Sequence, residues 1–289
     1  MSDPLFILAP PRSYTSVVCG MIGQHPEMLG LPEINLFAGD DYQHLSRWYR
    51  IRPRFQHGLL RAIAELGLGE QNEANIEAAR HWLEENPKLE TKAIYQDLAN
   101  WAAPRSLVDK SPIYVYDAFA LDRIDRACPR ARYLHLLRHP RGTCESIQAL
   151  RREHSNNTNF PPLDPETSWL KPHLRILEFL ETIPTYRKIR IRGEDLLEKP
   201  ACYLPQIVDW LGLDSSPASI EPMFHPERSP FACNGPPNAR FGNDPGFLNE
   251  PRLRPYRAPA LSLEGPMSWD SRISFSNTLK HYALFFGYD

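Results

Sequence analysis

Residues 5–18 read Leu-Phe-Ile-Leu-Ala-Pro-Pro-Arg-Ser-Tyr-Thr-Ser-Val-Val, and this stretch decides the fold. Leu5 to Ala9 form a short, continuously apolar run, which is typical of a strand buried on both faces. Two prolines end the run, and the apolar residues from Val17 to Ile22 predict a helix. A strand, a tight turn and a helix therefore follow one another here.

The turn between this strand and this helix carries one cation and several hydroxyl groups. Arg12, Ser13, Thr15 and Ser16 lie there. The first N–H groups of a helix have no internal partner and its dipole favours negative charge, so the turn is suited to binding an anion. Arg12 adds a fixed cation, and the hydroxyls add donors. An ordinary strand-to-helix turn with a surface arginine is the alternative.

The turn is not a Walker A loop, because the chain has no Gly followed after four residues by Gly-Lys-Ser/Thr. It resembles instead the 5′-phosphosulfate loop of sulfotransferases, which usually reads Pro-Arg/Lys-Ser-Gly-Thr-Thr/Ser. Residues 11–16 read Pro-Arg-Ser-Tyr-Thr-Ser. Tyr14 therefore stands where the family usually has glycine. Since glycine lets the backbone approach a phosphate closely, this difference puts the tightness of the cradle in question.

A second block with a strand, a basic residue and a helix spans residues 132–152. Tyr133 to Leu137 predict a buried strand, and 141–152 predict a helix. Arg138 follows the strand and Ser146 follows Arg138 by eight residues, so both lie on one side of a crevice and can grip a phosphate. An arginine that caps a strand and an ordinary helix serine are the alternative. Sulfotransferases bind the 3′-phosphate of their cofactor with an Arg and a Ser at this spacing.

Lys110 is the third candidate cation. Leu107 and Val108 are followed by the charged pair Asp109-Lys110 and, after one more residue, by Pro112. Because proline ends regular strand pairing, this pattern predicts a short strand with Lys110 at its carboxyl end. Sites in open α/β sheets lie at these strand ends, so Lys110 would point at the same crevice. A surface lysine is the alternative. Related sulfotransferases often carry Asp-Lys-Ser/Thr-Pro here, and the resemblance therefore implies a role in the site.

Glu33 is the best candidate for the base that the acceptor hydroxyl needs. It follows Pro32 and is predicted to open a helix at 32–35. It matches the Pro-Pro-Glu of bacterial sulfotransferases and the base position of tyrosylprotein-type enzymes. A charge that complements the helix dipole is the alternative. His57 and His44 are reserves, because many cytosolic sulfotransferases use a histidine base.

Two later segments also resemble sulfotransferases. Residues 193–196 read Gly-Glu-Asp-Leu where the family usually has Tyr-Glu-Asp-Leu, and that tyrosine often lies near the adenine. With Gly193 at this position, the adenine contact must come from elsewhere. Residues 240–248 resemble a Gly-Asp-Pro-x-Phe segment of related bacterial enzymes that closes over the cofactor.

Composition limits the remaining possibilities. The net charge of −2 gives no case for general nucleic-acid or membrane binding. The five cysteines are scattered, with neither a C-x-x-C pair nor zinc spacing, and no signal peptide or run of about 18 apolar residues is present. These features favour a reducing, cytoplasmic setting. The 29 prolines predict long ordered loops, and the polar residues 153–165 predict a mobile loop.

The chain therefore resembles PAPS-dependent sulfotransferases. Within that family it resembles bacterial sulfotransferases and the sulfotransferase modules of olefin-forming polyketide synthases. PAPS is 3′-phosphoadenosine 5′-phosphosulfate. The resemblance implies a P-loop-like three-layer sandwich with a central parallel sheet flanked by helices. We expect one domain over 1–289, with a helical insert at 41–103 over the acceptor site and a proline-rich closing segment at 214–267.

The resemblance also implies a reaction. PAPS would donate a sulfuryl group, without a metal, to the hydroxyl or amine of a small-molecule or carrier-bound acceptor, leaving adenosine 3′,5′-bisphosphate (PAP). Glu33, Arg12 and Lys110 would be catalytic. The residues that would bind the cofactor are Arg12, Ser13, Tyr14, Thr15, Ser16, Arg138 and Ser146. A nucleotide kinase or other phosphoryl-transfer enzyme and a non-catalytic nucleotide-binding protein remain alternatives, and the oligomeric state is not readable.

Overall fold

A five-stranded parallel sheet forms the centre of the molecule, in a computed structural model that describes residues 3–154 and 163–289. The predicted mobile loop at 153–165 lies mostly outside these residues. The strands of the sheet are β1 (Leu5–Leu8), β2 (Met28–Gly30), β3 (Ser106–Asp109), β4 (Arg132–Leu137) and β5 (Lys188–Arg192). Their order is β2-β3-β1-β4-β5, and a separate antiparallel hairpin consists of β6 (Pro266–Met267) and β7 (Asp270–Ser274).

Helices connect the strands and cover both faces of the sheet. The first eight are α1 (Thr15–Ile22), α2 (Tyr42–Ile51), α3 (His57–Leu68), α4 (Glu73–Glu85), α5 (Thr91–Ala102), α6 (Ala118–Ala127), α7 (Pro140–His154) and α8 (Lys171–Glu181). The others are α9 (Gly193–Glu198), α10 (Pro200–Leu211), α11 (Pro217–Ile220), α12 (Pro245–Asn249) and α13 (Asn277–Phe285). A π-helical turn, Glu166–Leu170, leads into α8.

Strand β1 is buried on both faces, as its unbroken apolar sequence predicts. Successive strand residues point to opposite faces. Phe6 and Leu8 pack into the core that the helices at 42–102 complete, whereas Leu5 and Ile7 pack into the core beneath α1 and α10. The sheet is therefore the middle of three layers.

The strand order places a crevice at the carboxyl end of β1. The chain leaves β1 toward β2 on one side of the sheet, and then crosses from β3 to β4 on the other side of β1. Such a reversal of strand order opens a ligand-binding crevice at the carboxyl ends of the strands. Arg12, Lys110 and Arg138 follow β1, β3 and β4, which are adjacent strands. Three cations are thus directed to one edge of the sheet.

The predicted fold class is confirmed: the sheet is parallel and helices flank it. Two local predictions are wrong. Residues 31–35 form no helix, and Asn35 instead adopts a left-handed φ of 51° before a 3₁₀ turn at Leu36–Ala38. The amphipathic pattern from Ile273 to Phe285 predicts one final helix, but that helix begins at Asn277, and Ile273 lies in β7. The division into one domain, insert and closing segment stays a prediction.

Within the described ranges, no helix combines the length and the apolar character that are needed to cross a lipid bilayer.

Candidate active site

The loop at 11–16 has the backbone shape of an anion cradle. Helix α1 begins at Thr15, so Thr15 and Ser16 contribute the first helical N–H groups. Arg12 and Tyr14 have φ angles of 66° and 62°, in the left-handed region that glycine adopts freely. An ordinary residue there costs on the order of 1–2 kcal/mol. Tyr14 therefore keeps a glycine-like backbone conformation, and the rest of the loop retains the cradle.

Arg12 is held between two elements. Its Nε donates to the Ser146 hydroxyl on α7 at 2.9 Å, and its guanidinium forms an ion pair with the carboxylate of Asp244. Burial and the nearby Arg138 guanidinium lower the pKa of Arg12 from its usual value. The expected grip of Ser146 together with Arg138 is not present as a direct contact, since Ser146 bonds to Arg12.

Arg138 crosses the loop from the end of β4. Its guanidinium carbon lies 4.5 Å from the centre of the Tyr14 ring, and one amino group donates to the Arg12 carbonyl. Its Nε and the hydroxyl of Ser13 are both buried, and neither has a hydrogen-bond partner among the described residues. Buried polar atoms without partners are rare in folded proteins. Both belong to residues that line the site, so they are suited to meet an anionic ligand.

Lys110 is buried behind the loop, with 1% of its side chain exposed. Its Nζ lies 3.0 Å from the hydroxyl of Ser16 and 3.0 Å from Oε1 of Glu33. A buried ammonium needs such partners, because its transfer out of water costs several kcal/mol. Lys110 therefore ties the cradle to the candidate base.

Asp109 fixes the turn that follows Lys110. Its carboxylate accepts hydrogen bonds from the hydroxyl groups of Ser111 at 2.8 Å and Tyr114 at 3.0 Å. Burial raises the pKa of Asp109 to about 6. The Ser111 hydroxyl in turn accepts from the backbone N–H of Asn35 at 3.0 Å. This chain of bonds sets the path of the segment that carries Glu33.

Glu33 lies on irregular backbone, which is held by hydrogen bonds that include one to a residue far away in the sequence. Its N–H donates to the Gly242 carbonyl at 2.6 Å, and its own carbonyl accepts from the Asn35 side chain at 3.1 Å. Because no helix begins here, the alternative of a charge at a helix start does not apply. The carboxyl group lies beside Lys110 and faces the cavity.

One cavity of about 870 Å³ gathers most of the predicted residues. The predicted residues in its lining are Arg12, Ser13, Tyr14, Thr15, Ser16, Glu33, Arg138 and Ser146. Lys110 lies behind this lining, in contact with Ser16 and Glu33. Apolar side chains also line it, among them Val17, Phe55, Ile113, Ile147, Leu150 and Phe247. The cavity therefore offers a ligand both the anion-binding cradle and apolar surface.

The reserve histidines do not line this cavity. His57 stacks on Phe241, and its Nδ1 accepts the Phe241 N–H at 3.3 Å. Burial lowers the pKa of His57 to about 4, which makes it a weak base at neutral pH. His44 is exposed on α2. The geometry therefore favours Glu33 over both.

The two departures from the family pattern face each other. A Cβ atom on Gly193 would lie 2.5 Å from Cδ2 of Tyr14, closer than non-bonded carbon atoms approach. The Tyr14 ring thus occupies the space that a side chain at 193 would need. Its hydroxyl lies 2.7 Å from the hydroxyl of Tyr256, which belongs to the 214–267 segment. Tyr14 joins the cradle, Arg138 and this segment.

Asp244 and Tyr256 were not among the residues predicted for the site. Asp244 lies in the Gly-Asn-Asp-Pro sequence at 242–245, and the resemblance of this segment to Gly-Asp-Pro-x-Phe is the sequence feature that points to it. Its contact with the cradle joins Ser16 to a residue 228 positions away, and sequence spacing does not reveal such a contact.

Among residues 3–154 and 163–289, no group of three or more His, Cys, Asp and Glu side chains is placed to hold a metal ion. The residues that fit a phosphorylated nucleotide are those of the cradle, together with Arg138 and its orphaned Nε.

Comparison with known proteins assigns the chain to a family. The sequence profile of the sulfotransferase family matches residues 4–217. No curated protein matches the chain in sequence. Among solved structures, the sulfotransferase domain from the curacin biosynthetic pathway has a TM-score of 0.78 and 22% identity, with 100% of this chain and 99% of that one covered.

The sulfotransferase domain from the Synechococcus PCC 7002 olefin synthase is similar to the same degree. It has a TM-score of 0.77 and 25% identity, and the match covers 100% of this chain and 97% of the other. The structural match thus extends over the whole length, including the region beyond residue 217 that the family profile does not reach. The chain belongs to the sulfotransferase family.

Proposed function

We propose that this sulfotransferase moves a sulfuryl group from PAPS to a hydroxyl or amine, with Glu33 as the base. The observation that carries the proposal is the convergence of Arg12, Lys110 and Arg138 from three adjacent strand ends onto one cradle. A doubly phosphorylated nucleotide with a sulfuryl group carries its negative charge at separate points, and this arrangement matches several of them.

The two ends of the donor would be held by different elements. The N–H groups at the start of α1 and the guanidinium of Arg12 would hold the 5′-phosphosulfate. Arg138 and Ser146 would hold the 3′-phosphate, and the orphaned Nε of Arg138 is a donor for it. This assignment requires Ser146 to exchange its bond from Arg12 for one to the phosphate.

The transfer would be an in-line displacement. The acceptor oxygen forms a bond to sulfur with its lone pair, the bond from sulfur to the phosphate oxygen breaks, and that electron pair leaves with PAP. Glu33 takes the acceptor proton. Arg12 and the start of α1 stabilise charge on the transferring group, and Lys110 holds Glu33 in place at 3.0 Å. The expectation that no metal takes part stays a prediction.

The acceptor would lie against the apolar part of the lining, which includes Phe55 and Ile113. We propose a hydroxyl on a largely apolar small molecule or carrier-bound chain. Both solved relatives are sulfotransferase domains taken from a biosynthetic pathway or a synthase, which supports that class of acceptor.

The test is a transfer assay with radiolabelled PAPS and a panel of hydroxylated acceptors, free and carrier-bound. We expect label in at least one acceptor without added magnesium, and a loss of at least about a hundredfold in kcat for Glu33→Gln, because the base is gone. PAP binding by Glu33→Gln should be unchanged. Transfer at the normal rate by this variant would exclude Glu33 as the base. Transfer of a phosphoryl group from Mg-ATP to an acceptor would instead support a kinase.

A further inference from the structure

Asp244 places a carboxylate where an anionic ligand is expected to bind. Its Oδ2 forms an ion pair with Arg12, and its backbone N–H donates to the hydroxyl of Ser16 at 3.1 Å. Arg12 and Ser16 both belong to the cradle. A negative side chain at this position opposes the charge of any anion that the cradle holds.

The carboxylate is fixed in place and cannot swing far from the cradle. Asp244 is the N-cap of α12, and its Oδ1 accepts the N–H of Phe247 at 3.1 Å. Pro245 follows it and restrains the backbone. The side chain is thus held by its helix on one oxygen and by Arg12 on the other, with 26% of it exposed.

The charges at the two ends of the polar site consequently differ. At the end near the start of α1, the cations Arg12 and Lys110 are matched by the carboxylates of Asp244 and Glu33. Arg138 forms no ion pair with any carboxylate in the described part of the chain, and its guanidinium faces a carbonyl and an aromatic ring. Arg12 and Lys110 are thus each paired with a carboxylate, whereas Arg138 is not.

From this asymmetry we propose that Asp244 is a specificity-determining residue that selects a sulfuryl group over a phosphoryl group at the 5′ end of the donor. The inference rests on the proposed function. A sulfuryl group on a phosphate carries one negative charge, whereas a terminal phosphate in the same place carries about −1.5 to −2 at pH 7. The two groups have the same tetrahedral shape, so charge is what distinguishes them. Because carboxylates already pair with Arg12 and Lys110, this part of the site accepts the first group and disfavours the second, while the 3′-phosphate goes to Arg138.

The test compares two nucleotides that differ only at the terminal group, PAPS and 3′-phosphoadenosine 5′-diphosphate. Their dissociation constants are measured by calorimetry at pH 7.5 without magnesium. For the wild type we expect PAPS to bind at least about tenfold more tightly. In Asp244→Asn, which keeps an N-cap side chain, that preference should fall to less than about threefold. The matched control is Asp117→Asn, another N-cap aspartate that pairs with an arginine outside the cavity, and it should leave the preference unchanged.

A second measurement on the wild type does not depend on the variant folding. The terminal phosphate of the diphosphate loses its second proton near pH 6. Its affinity relative to PAPS should therefore rise as the pH falls from 7.5 to 5.5. Equal affinity of the wild type for both nucleotides, or a preference that survives in Asp244→Asn, would overturn the inference while leaving the proposed function intact. Failure of the wild type to bind either nucleotide would overturn both.

Discussion

At the scale of single residues, Lys110 is the buried cation that connects two parts of the site. It is buried, and its two contacts at 3.0 Å join Ser16 of the cradle to Glu33. Because Lys110 does not line the cavity, it acts through these neighbours. Its loss should therefore affect turnover more than donor binding.

We predict that Lys110→Met lowers kcat by about 10²–10³ while PAP affinity changes less than about fivefold. Glu33 is partly exposed and can be solvated when its partner is lost, so the free energy of unfolding should change by less than about 1 kcal/mol. Kinetics and urea unfolding check both points. Lys280→Met, which removes a surface ion pair with Glu264, is the matched control. An unchanged kcat would contradict this role.

Gly193 is the second residue whose role can be tested alone. A Cβ at this position would lie 2.5 Å from the Tyr14 ring and 3.1 Å from the Leu137 carbonyl. We predict that Gly193→Ala costs about 1–3 kcal/mol in the free energy of unfolding and weakens PAP binding about tenfold, because the ring must move.

The same substitution in a Tyr14→Gly background should cost much less, since the ring is absent. A double-mutant cycle on unfolding and on PAP binding measures this coupling. Additive effects within about 0.5 kcal/mol would show that Tyr14 is not the group that requires a glycine at 193.

At the scale of elements, β4 and α8 are joined by a buried histidine pair. Nε2 of His135 lies 2.8 Å from Nδ1 of His173, and Nε of Arg190 donates to Nδ1 of His135 at 3.2 Å. Burial lowers the pKa of His173 to about 3, and burial with the neighbouring His173 and Arg190 places the pKa of His135 well below its usual value. Both side chains are neutral in the folded protein at neutral pH.

We predict that the pair makes the protein less stable in acid. The unfolded chain binds a proton at each histidine near pH 6.5, whereas the folded chain does not, so stability is full above that pH and falls as the pH drops below it. The buried Asp109 has a raised pKa of about 6 and works in the opposite sense between pH 3.8 and 6.

The variant His173→Gln isolates the histidine contribution, since glutamine can still accept from His135. Between pH 6 and 4, its unfolding free energy should depend on pH less steeply than that of the wild type, by up to about 1.4 kcal/mol per pH unit. Urea unfolding at several pH values measures the slope. Equal slopes would contradict the assignment.

Elements were predictable from the sequence where local rules govern them. The run that became β1 is apolar, and that of β4 is apolar apart from Arg132 and His135. Prolines or an arginine end these runs, and apolar periodicity marks the helices between 42 and 102. The segment at 31–35 was not predictable, because its path is set by bonds from Ser111 and Gly242 that lie far away in the sequence. The residues of the cradle were predictable because they follow one another in a recognisable motif. The contacts of Asp244 with Arg12 and Ser16 become visible only in the folded chain.

At the scale of the whole molecule, positive charge is concentrated in the cavity, although the protein has no excess of positive charge. The net charge is −2, yet the cavity is lined by Arg12, Arg52, Arg138, Arg151, Arg252 and Arg254. The parallel sheet accounts for Arg12 and Arg138 in this set, because adjacent strands end at one edge and a basic residue follows each of them there. Local positive potential in a cleft attracts anionic ligands even when the protein as a whole is slightly acidic.

The most direct test of this account is calorimetric titration of PAP into the wild type and Arg138→Met without magnesium. We predict one PAP per chain for the wild type, binding at least about tenfold weaker in the variant, and weaker binding of ATP than of PAP. Tighter binding of ATP than of PAP, or equal PAP affinity in the two proteins, would contradict the claim that adjacent strand ends hold a single 3′-phosphorylated nucleotide.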